Sequence, residues 1–294
     1  MNRTNRREFL RQSLALGAAA AFPATAWPAE VTPAVPTRRA SDVIELGPAK
    51  VKVSRMAVGT GTFGGGHSSN QMRQLGTDGL ADVLSAAYDN GVFFWDTADG
   101  YGTHAAIKVA LKKIPREKVA IVTKTEAFSA AKMTADLDRY RQELGTDYID
   151  IVLLHSIMAP QWDELFKPQM DVLADAREKK IVRSVGISCH SVEAMKVASK
   201  SPWLDICMAR INPAGIRMDA PTETVLPLLA ELRANGKGLI GIKILGEGQL
   251  ADRVDEALRF AVTKDAVHCF SIGCETRAEL LENISRIAKV SQPA

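Results

Sequence analysis

The chain has 294 residues, of which 46% are hydrophobic and 24% are charged, and its formal net charge is +3. This length and composition are typical of one sizeable globular domain. The small, dispersed charge and the low aromatic content argue against a protein that binds nucleic acid. No apolar run in the body of the chain reaches the roughly 18 residues that a transmembrane helix needs.

The start of the chain has the layout of an export signal. Four arginines lie among the first eleven residues, residues 13–22 form a short alanine-rich apolar stretch, and residues 24–26 are a small-x-small cleavage candidate. The paired Arg6 and Arg7, which are followed by Glu-Phe-Leu-Arg, resemble the twin-arginine export motif. These features indicate a leader that is removed from the mature protein.

We therefore predict a twin-arginine signal peptide at residues 1–26, a proline- and alanine-rich linker at residues 27–42, and a single folded domain at residues 43–294. The protein is expected to use the twin-arginine export machinery as a partner and to reside in the periplasm or otherwise outside the cytoplasm. It should have no membrane attachment after cleavage. A disordered basic N-terminus and an uncleaved anchor are the alternatives.

The rest of the sequence alternates short apolar runs with amphipathic stretches. Two runs at residues 43–46 and 51–54 flank Gly-Pro-Ala-Lys and predict a β-hairpin. Eight strand–helix units follow, and the third helix is expected to begin at Thr134 and to end at Gly145. The predicted strands lie at residues 56–62, at three runs ending in Asp96, Lys124 and His155, and at residues 183–188, 204–211, 239–244 and 267–272.

Eight such alternations favour a closed parallel sheet over an open doubly wound sheet. No strand–helix junction carries the G-x-G-x-x-G pattern of a Rossmann fold. The predicted fold is therefore α/β, a (β/α)8 TIM barrel with an N-terminal β-hairpin.

Acid–base side chains stand at the ends of three consecutive predicted strands. Asp96, Lys124 and His155 each end an apolar run, and Tyr101 follows Asp96 by five residues. The C-terminal strand ends of such a barrel converge on the face that carries the active site. Each residue alone has a structural explanation, as a turn cap, a loop anchor, a surface ion pair or a core histidine. Their joint placement predicts one shared pocket.

These four residues suit the reduction of a carbonyl group by hydride. Tyr101 can donate the proton, Lys124 can lower the pKa of the phenol, and Asp96 can hold Lys124 in place. His155, as a donor, can orient the carbonyl oxygen and stabilise its developing charge. The Gly-x-Ser-x-Gly pattern of a serine hydrolase is absent.

Five blocks of the sequence resemble the aldo/keto reductase family, over about residues 43–291. Residues 93–102 resemble its F-F-D-T-A-x-x-Y-G block, residues 122–124 its third-strand lysine, and residues 144–155 its fourth strand. Residues 185–188 resemble its G-x-S motif and residues 271–283 its phosphate-binding block.

The resemblance implies a nicotinamide-dependent oxidoreductase that interconverts an aldehyde or ketone and an alcohol. Its catalytic tetrad would be Asp96, Tyr101, Lys124 and His155. A non-catalytic barrel that binds a nucleotide, as a sensor or as a module for a protein partner, is the alternative, and the intact tetrad argues against it. The expected partner is a small carbonyl or alcohol substrate, and a monomer is expected.

The resemblance also implies a cofactor, NADP with NAD as the alternative. Phosphates commonly bind at the loops after the last two barrel strands, against a helix N-terminus. The residues expected to bind the cofactor are Gly61, Thr62, Phe63, Ser188, Cys189, Met208, Lys243, Leu245, Gly246, Gly248, Gly273, Cys274, Thr276, Arg277, Glu282 and Asn283.

Three positions depart from the family pattern. Cys189 and Met208 stand where an asparagine and a glutamine are expected, which puts the nicotinamide contacts in question. Glu279 stands at a position that is often basic, and an acidic residue there disfavours NADP and suits a free ribose hydroxyl. Arg277 is the nearest candidate replacement.

The loops after the fourth and seventh strands are short, which predicts an open substrate pocket, lined by Trp95, Phe128 and Trp162. The four cysteines lack the spacing of a zinc site, and no metal is expected. Buried free thiols are expected, with one disulfide as the alternative.

Overall fold

The computed structural model describes residues 37–292, so the predicted signal peptide at residues 1–26 lies outside the described residues. Eight parallel strands close into a barrel, and an antiparallel pair precedes them. The strands are β1 (Val43–Leu46), β2 (Val51–Ser54), β3 (Met56–Gly59), β4 (Phe94–Asp96), β5 (Ala120–Thr125), β6 (Ile149–Ile157), β7 (Val182–Cys189), β8 (Ile206–Arg210), β9 (Gly238–Ile242) and β10 (Cys269–Gly273).

Helices follow the barrel strands in the order expected for repeated βα units. They are α1 (Asn70–Asp89), α2 (His104–Leu111), α3 (Ala130–Leu144), α4 (Trp162–Leu165), α5 (Lys167–Glu178), α6 (Val192–Lys200), α7 (Thr222–Ala234), α8 (Val254–Thr263) and α9 (Arg277–Val290). Short 3-10 turns lie at Asp99–Tyr101, Arg116–Lys118 and Gly246–Gly248. Within residues 37–292, no helix is long and apolar enough to cross a membrane.

Two apolar layers hold the barrel together. The inner layer fills the barrel with inward-facing side chains such as Phe94, Ile151 and Met208, and the hairpin residues Leu46 and Val53 join it. The larger outer layer lies between the strands and the helices. Side chains alternate between the two layers because successive residues of a strand point to opposite faces. The predicted (β/α)8 barrel with an N-terminal hairpin is confirmed.

Some predicted boundaries are wrong. The first barrel strand, predicted at residues 56–62, ends at Gly59, after which the chain bends and the Thr60 amide bonds the Asp96 carbonyl oxygen. The third helix, predicted to start at Thr134, starts at Ala130, because the Ser129 side chain accepts from the Lys132 amide and caps it. It ends as predicted at Gly145, in a left-handed conformation.

The barrel unit begins before residue 43. Arg38 donates to the carbonyl oxygen of Val262 and to the carboxylate of Asp265, and its own amide donates to Ser291. Ala40 is buried. The last part of the predicted linker at residues 27–42 is therefore packed against the barrel, because Arg38 ties it to two later helical segments.

Candidate active site

A cavity of about 420 Å³ opens at the carboxyl ends of the barrel strands. The four predicted catalytic residues, Asp96, Tyr101, Lys124 and His155, all line it. Parallel strands place their last residues on one rim of the barrel, which is why residues far apart in the sequence meet here. We call these four residues the tetrad.

Lys124 and Asp96 form a buried ion pair in which the ammonium donates to Oδ1. The ammonium also donates to the Thr97 carbonyl oxygen at 2.8 Å, and the Ser271 hydroxyl donates to Asp96 Oδ2 at 2.7 Å. Burial by itself would lower the pKa of Lys124, but Asp96 and Tyr101 outweigh it, and the pKa lies above its ordinary value. Lys124 is therefore a fixed positive charge in the cavity.

The 3-10 turn Asp99–Tyr101 presents Tyr101 to Lys124. The ammonium lies 4.9 Å from the centre of the phenol ring. Arg139 of α3 holds the turn, because its two terminal nitrogens donate to the two carboxylate oxygens of Asp99 at 2.8 Å each. Burial raises the pKa of Tyr101, Lys124 opposes this and Asp96 adds to it, so that the net shift is upward. Lys124 does lower the pKa of the phenol, as expected, but burial raises it by more. Tyr101 is therefore protonated at neutral pH.

His155 lies between the Tyr101 hydroxyl and a glutamate. Its Nε2 is 3.5 Å from the Tyr101 hydroxyl, and its Nδ1 is 3.0 Å from Oε1 of Glu126. Burial, with the positive charges of Lys124 and Lys243 and with His190, lowers the pKa of His155 to about 3. The imidazole is therefore neutral at neutral pH.

The glycine-rich loop after β3 lies directly over Tyr101. A Cβ at Gly61 would stand 2.2 Å from the phenol ring, and a Cβ at Gly64 would stand 2.5 Å from it. Contacts this short are incompatible with any larger residue unless the ring moves. Gly61 and Gly64 are thus required by the close approach of the loop backbone to Tyr101, whereas a Cβ at Gly65 would meet no atom within 4 Å.

Nine of the residues predicted to bind the cofactor line the cavity. They are Gly61, Thr62, Phe63, Ser188, Met208, Lys243, Leu245, Gly248 and Gly273. Ser188 also bonds His190, a cavity residue that the sequence analysis did not select, at 3.2 Å.

The other predicted cofactor residues do not line the cavity. Cys189 follows Ser188 on β7 and so faces the outer layer, and Gly246 is buried. Cys274 is buried with Asn283, whose amide donates to its sulfur. Thr276 caps α9 through the Glu279 amide. Arg277 and Glu282 are exposed on α9, where Glu282 pairs with Arg286.

The three predicted substrate-pocket aromatics also lie elsewhere. Trp95 stands between two inward-facing residues of β4, so its indole is fully buried in the outer layer. Trp162 is fully buried, and its Nε1 donates to the Ala194 carbonyl oxygen at 3.2 Å. Phe128 is 81% exposed and does not line the cavity. Besides Tyr101, the aromatic residue that lines the cavity is Phe63, which the sequence analysis assigned to the cofactor.

Several cavity residues were missed by sequence reasoning. Ser271 of β10 faces the barrel interior, where it contacts Asp96. The two-residue period of the strand could therefore have identified it from the sequence. Glu247 and Glu275 lie in loops, where no periodicity identifies which side chains face inward. Glu126 does not itself line the cavity but bonds His155 across 29 residues of sequence, and nothing local in the sequence indicates that contact.

The loops after the last two barrel strands are the part of the cavity that could hold a phosphate-containing nucleotide. The loop after β9 has left-handed backbone at Lys243, Gly246, Glu247 and Gly248. The Gly246 and Gly248 amides donate to the carbonyl oxygens of Lys243 and Leu245 within the loop, and the Lys243 ammonium pairs with Glu247 at 2.7 Å. Gly248 lines the cavity, and a Cβ there would meet no atom within 4 Å, so the backbone is open to a ligand. The N-terminus of α9 follows the cavity residues of the next loop.

The cysteines do not contribute to the cavity. Cys189, Cys207, Cys269 and Cys274 are all buried and free, as the sequence analysis expected. Burial raises the pKa of Cys274 to about 12, so its thiol is protonated at neutral pH.

The comparisons with known proteins agree with this fold. The Aldo/keto reductase family matches residues 55–292. A D-threo-aldose 1-dehydrogenase of Pseudomonas sp is 25% identical over 64% of this chain and 66% of its own length. An NADH-specific methylglyoxal reductase of Escherichia coli is 27% identical over 58% of each chain. The chain thus spans about half to two thirds of the length of the first curated relatives it matches.

Solved structures show the same architecture. A putative aldo-keto reductase from Pseudomonas aeruginosa superposes with a TM-score of 0.71 at 24% identity, over 86% of this chain and 97% of that chain. A Bombyx mori aldo-keto reductase in complex with NADP superposes with a TM-score of 0.62 at 18% identity, over 85% of this chain and 92% of that chain. With a family match over most of its length, the chain belongs to the aldo/keto reductase family.

Proposed function

We propose that this protein is an oxidoreductase that interconverts an aldehyde or ketone and the corresponding alcohol with a nicotinamide nucleotide. The observation that carries the proposal is the arrangement of Lys124, held by Asp96 on one side and placed 4.9 Å from the Tyr101 ring on the other. A protonated phenol beside a fixed positive charge is a proton donor whose conjugate base is stabilised where it forms.

The nicotinamide, when bound, supplies the hydride in reduction and accepts it in oxidation. In reduction, Tyr101 donates its phenolic proton to the carbonyl oxygen as the carbon gains the hydride, and the product is the alcohol. Lys124 stabilises the resulting phenolate, which then takes a proton from solvent. In oxidation, the same phenolate removes the proton of the alcohol. Asp96 and Ser271 keep the ammonium in place throughout.

The end of the cavity near α9 favours NAD over NADP. Glu275 and Glu279 both line it there. Glu275 is held by the amides of Asn70 and Gln74, and Glu279 accepts from the Glu275 backbone amide. A 2′-phosphate beside two carboxylates is repelled by about 1 kcal/mol per charge pair at 4 Å in water, whereas a free ribose hydroxyl can donate to them. We therefore propose NAD as the preferred cofactor, in place of the NADP expected from the resemblance.

The relatives suggest a substrate class. Their names include a methylglyoxal reductase, a D-threo-aldose 1-dehydrogenase and an L-galactose dehydrogenase. We propose that the substrates here are likewise small polar carbonyl compounds or sugars.

The test is a steady-state assay of methylglyoxal reduction with NADH and with NADPH, followed at the nicotinamide absorbance. We expect turnover with both and a higher kcat/KM with NADH. The Tyr101→Phe variant should bind NADH normally and lose nearly all turnover. Nucleotide binding without turnover on any carbonyl compound tried would instead support the binding-module alternative.

We also propose that residues 1–26 direct export, on the strength of the Arg6–Arg7 motif. Cell fractionation of the full chain and of a variant with both arginines changed to lysine tests this. The native chain should be found, shortened, outside the cytoplasm, and the double variant should stay inside. An unshortened native chain in the cytoplasm would refute export.

A further inference from the structure

Two positions at which amide side chains are expected hold residues that offer the cavity no amide. Cys189 faces the outer layer, where its thiol donates to the Ser191 carbonyl oxygen. Met208 faces the barrel interior and lines the cavity, but a thioether is only a weak acceptor. The cavity wall formed by β7 and β8 therefore lacks both expected amide groups.

His190 is the polar residue that the structure places on this wall instead. It follows the end of β7, and its imidazole lines the cavity next to Ser188. Its amide donates to the Ile157 carbonyl oxygen of β6 at 2.7 Å, and its carbonyl oxygen accepts from Arg210 of β8 at 3.1 Å. Because its backbone is fixed on both sides, the ring is held at the rim of the tetrad, one strand along from His155.

The other neutral polar side chains that line the cavity outside the tetrad are already engaged. Thr62 accepts from a side-chain amide of α1 at 2.8 Å, and Ser271 donates to Asp96 at 2.7 Å. Within residues 37–292, the side chains of Ser188 and His190 hydrogen-bond each other alone, with Oγ 3.2 Å from Nε2. Ser188 Oγ and Nδ1 of His190 therefore keep hydrogen-bonding capacity for a ligand.

This pair offers one donor and one acceptor in either tautomer of the imidazole. Burial and the charges of Arg210 and Lys243 lower the pKa of His190 to about 4, so the ring is neutral at neutral pH. If Nε2 carries the proton, it donates to Oγ, the hydroxyl donates to the ligand and Nδ1 accepts. If Nδ1 carries the proton, the hydroxyl donates to Nε2, Oγ accepts from the ligand and Nδ1 donates. A carboxamide has both an acceptor and a donor, whereas a carboxylate would leave the acceptor of the pair without a partner.

We propose that His190, together with Ser188, binds the carboxamide of the nicotinamide ring, in place of the two amide side chains that positions 189 and 208 lack. The inference rests on the proposed function, because hydride transfer requires the ring to lie beside the tetrad. Ser188 and His190 are the neutral polar side chains that remain free at that rim. Holding the carboxamide limits the rotation of the ring and so selects the face that is directed at the substrate.

The test is the equilibrium binding of NAD and of ADP-ribose, measured by isothermal titration calorimetry. ADP-ribose lacks the nicotinamide ring, so it reports on the rest of the nucleotide site. In His190→Phe, we expect the Kd for NAD to rise about tenfold, the worth of one hydrogen bond, and the Kd for ADP-ribose to stay unchanged. His190→Gln, which keeps a donor and an acceptor, should lose less affinity for NAD. Cys189→Ala, at the neighbouring position that faces the outer layer, should change neither Kd.

A second pair of ligands isolates the carboxamide itself. The acetylpyridine analogue of NAD keeps the carbonyl oxygen but has a methyl group in place of the amide nitrogen. The native protein should bind NAD about tenfold more tightly than this analogue, and the double variant Ser188→Ala/His190→Phe should bind the two alike.

An unchanged Kd for NAD in His190→Phe, or an equal rise for NAD and ADP-ribose, would overturn the inference. The same preference for NAD over the analogue in the native protein and the double variant would also overturn it. If the native protein binds neither NAD nor NADP, the proposed function itself fails. If the native protein binds NAD and the variants bind it equally well, only the role of His190 fails.

Discussion

Replacing Lys124 alone should destabilise the protein more than replacing Lys124 and its ion-pair partner Asp96 together. The ammonium is 2% exposed and the Asp96 side chain 8% exposed, so neither charge is well solvated in the fold. In Lys124→Met, the Asp96 carboxylate keeps only the Ser271 hydroxyl as a donor among its side-chain contacts. In Asp96→Asn, the ammonium keeps the Thr97 carbonyl oxygen but no negative charge.

The expected magnitude follows from burial. Breaking a buried ion pair by removing one partner costs about 3–5 kcal/mol, because the remaining charge is uncompensated. Removing both charges in Lys124→Met/Asp96→Asn leaves two neutral side chains and should cost about 1–3 kcal/mol. The two single changes should therefore be strongly non-additive, with a coupling free energy of about 3 kcal/mol or more.

The assay is equilibrium unfolding in urea for the native protein, both single variants and the double variant. Lys179→Met is the matched control, because Lys179 pairs with Asp175 on the surface with both side chains more than half exposed. It should cost less than about 0.5 kcal/mol. The reasoning is refuted if Lys124→Met costs less than about 1 kcal/mol, or if the double variant costs the sum of the single ones.

Three further predictions concern the site. Gly61→Ala should lower kcat/KM about 100-fold with the fold intact, because its Cβ would lie 2.2 Å from the Tyr101 ring. Gly65→Ala, where nothing lies within 4 Å, should be neutral, and equal activities of the two variants would contradict the steric argument. Arg139→Met should lower kcat/KM about tenfold by releasing the turn that carries the tyrosine, whereas Arg141→Met on the same helix should not, and unchanged kinetics in both would show that the turn holds itself. Burial lowers the pKa of His155 to about 3, so unfolding at a pH below the ordinary histidine pKa of 6.5 is accompanied by uptake of a proton. His155 alone should therefore contribute a fall in stability of up to about 1.4 kcal/mol per pH unit as the pH drops from about 6 toward 4. Urea unfolding of His155→Gln across this range should show a shallower fall than the native protein, and identical slopes would mean that this imidazole is solvated.

The barrel and the tetrad were predictable because both leave local signals. Short apolar runs between amphipathic stretches indicate strands and helices, and parallel strands bring their ends together whatever lies between them. Asp96, Lys124 and His155 each follow such a run, so their shared cavity follows from the fold class alone. The strand limits were less accurate: the predicted first barrel strand included residues 60–62, Thr-Gly-Thr, whereas the strand ends at Gly59.

The sequence by itself thus determined the fold, the family and the residues at the strand ends. The tertiary structure decided which side chains of the strands and loops reach the cavity and which lie in the outer layer. Trp95 is an aromatic residue of the kind that often lines pockets, but the two-residue period of β4 points its side chain outward, away from the cavity. Glu126 and Ser271 meet the tetrad across 29 and 175 residues of sequence. Contacts of that separation depend on how the whole barrel closes, and no local pattern of residues encodes them.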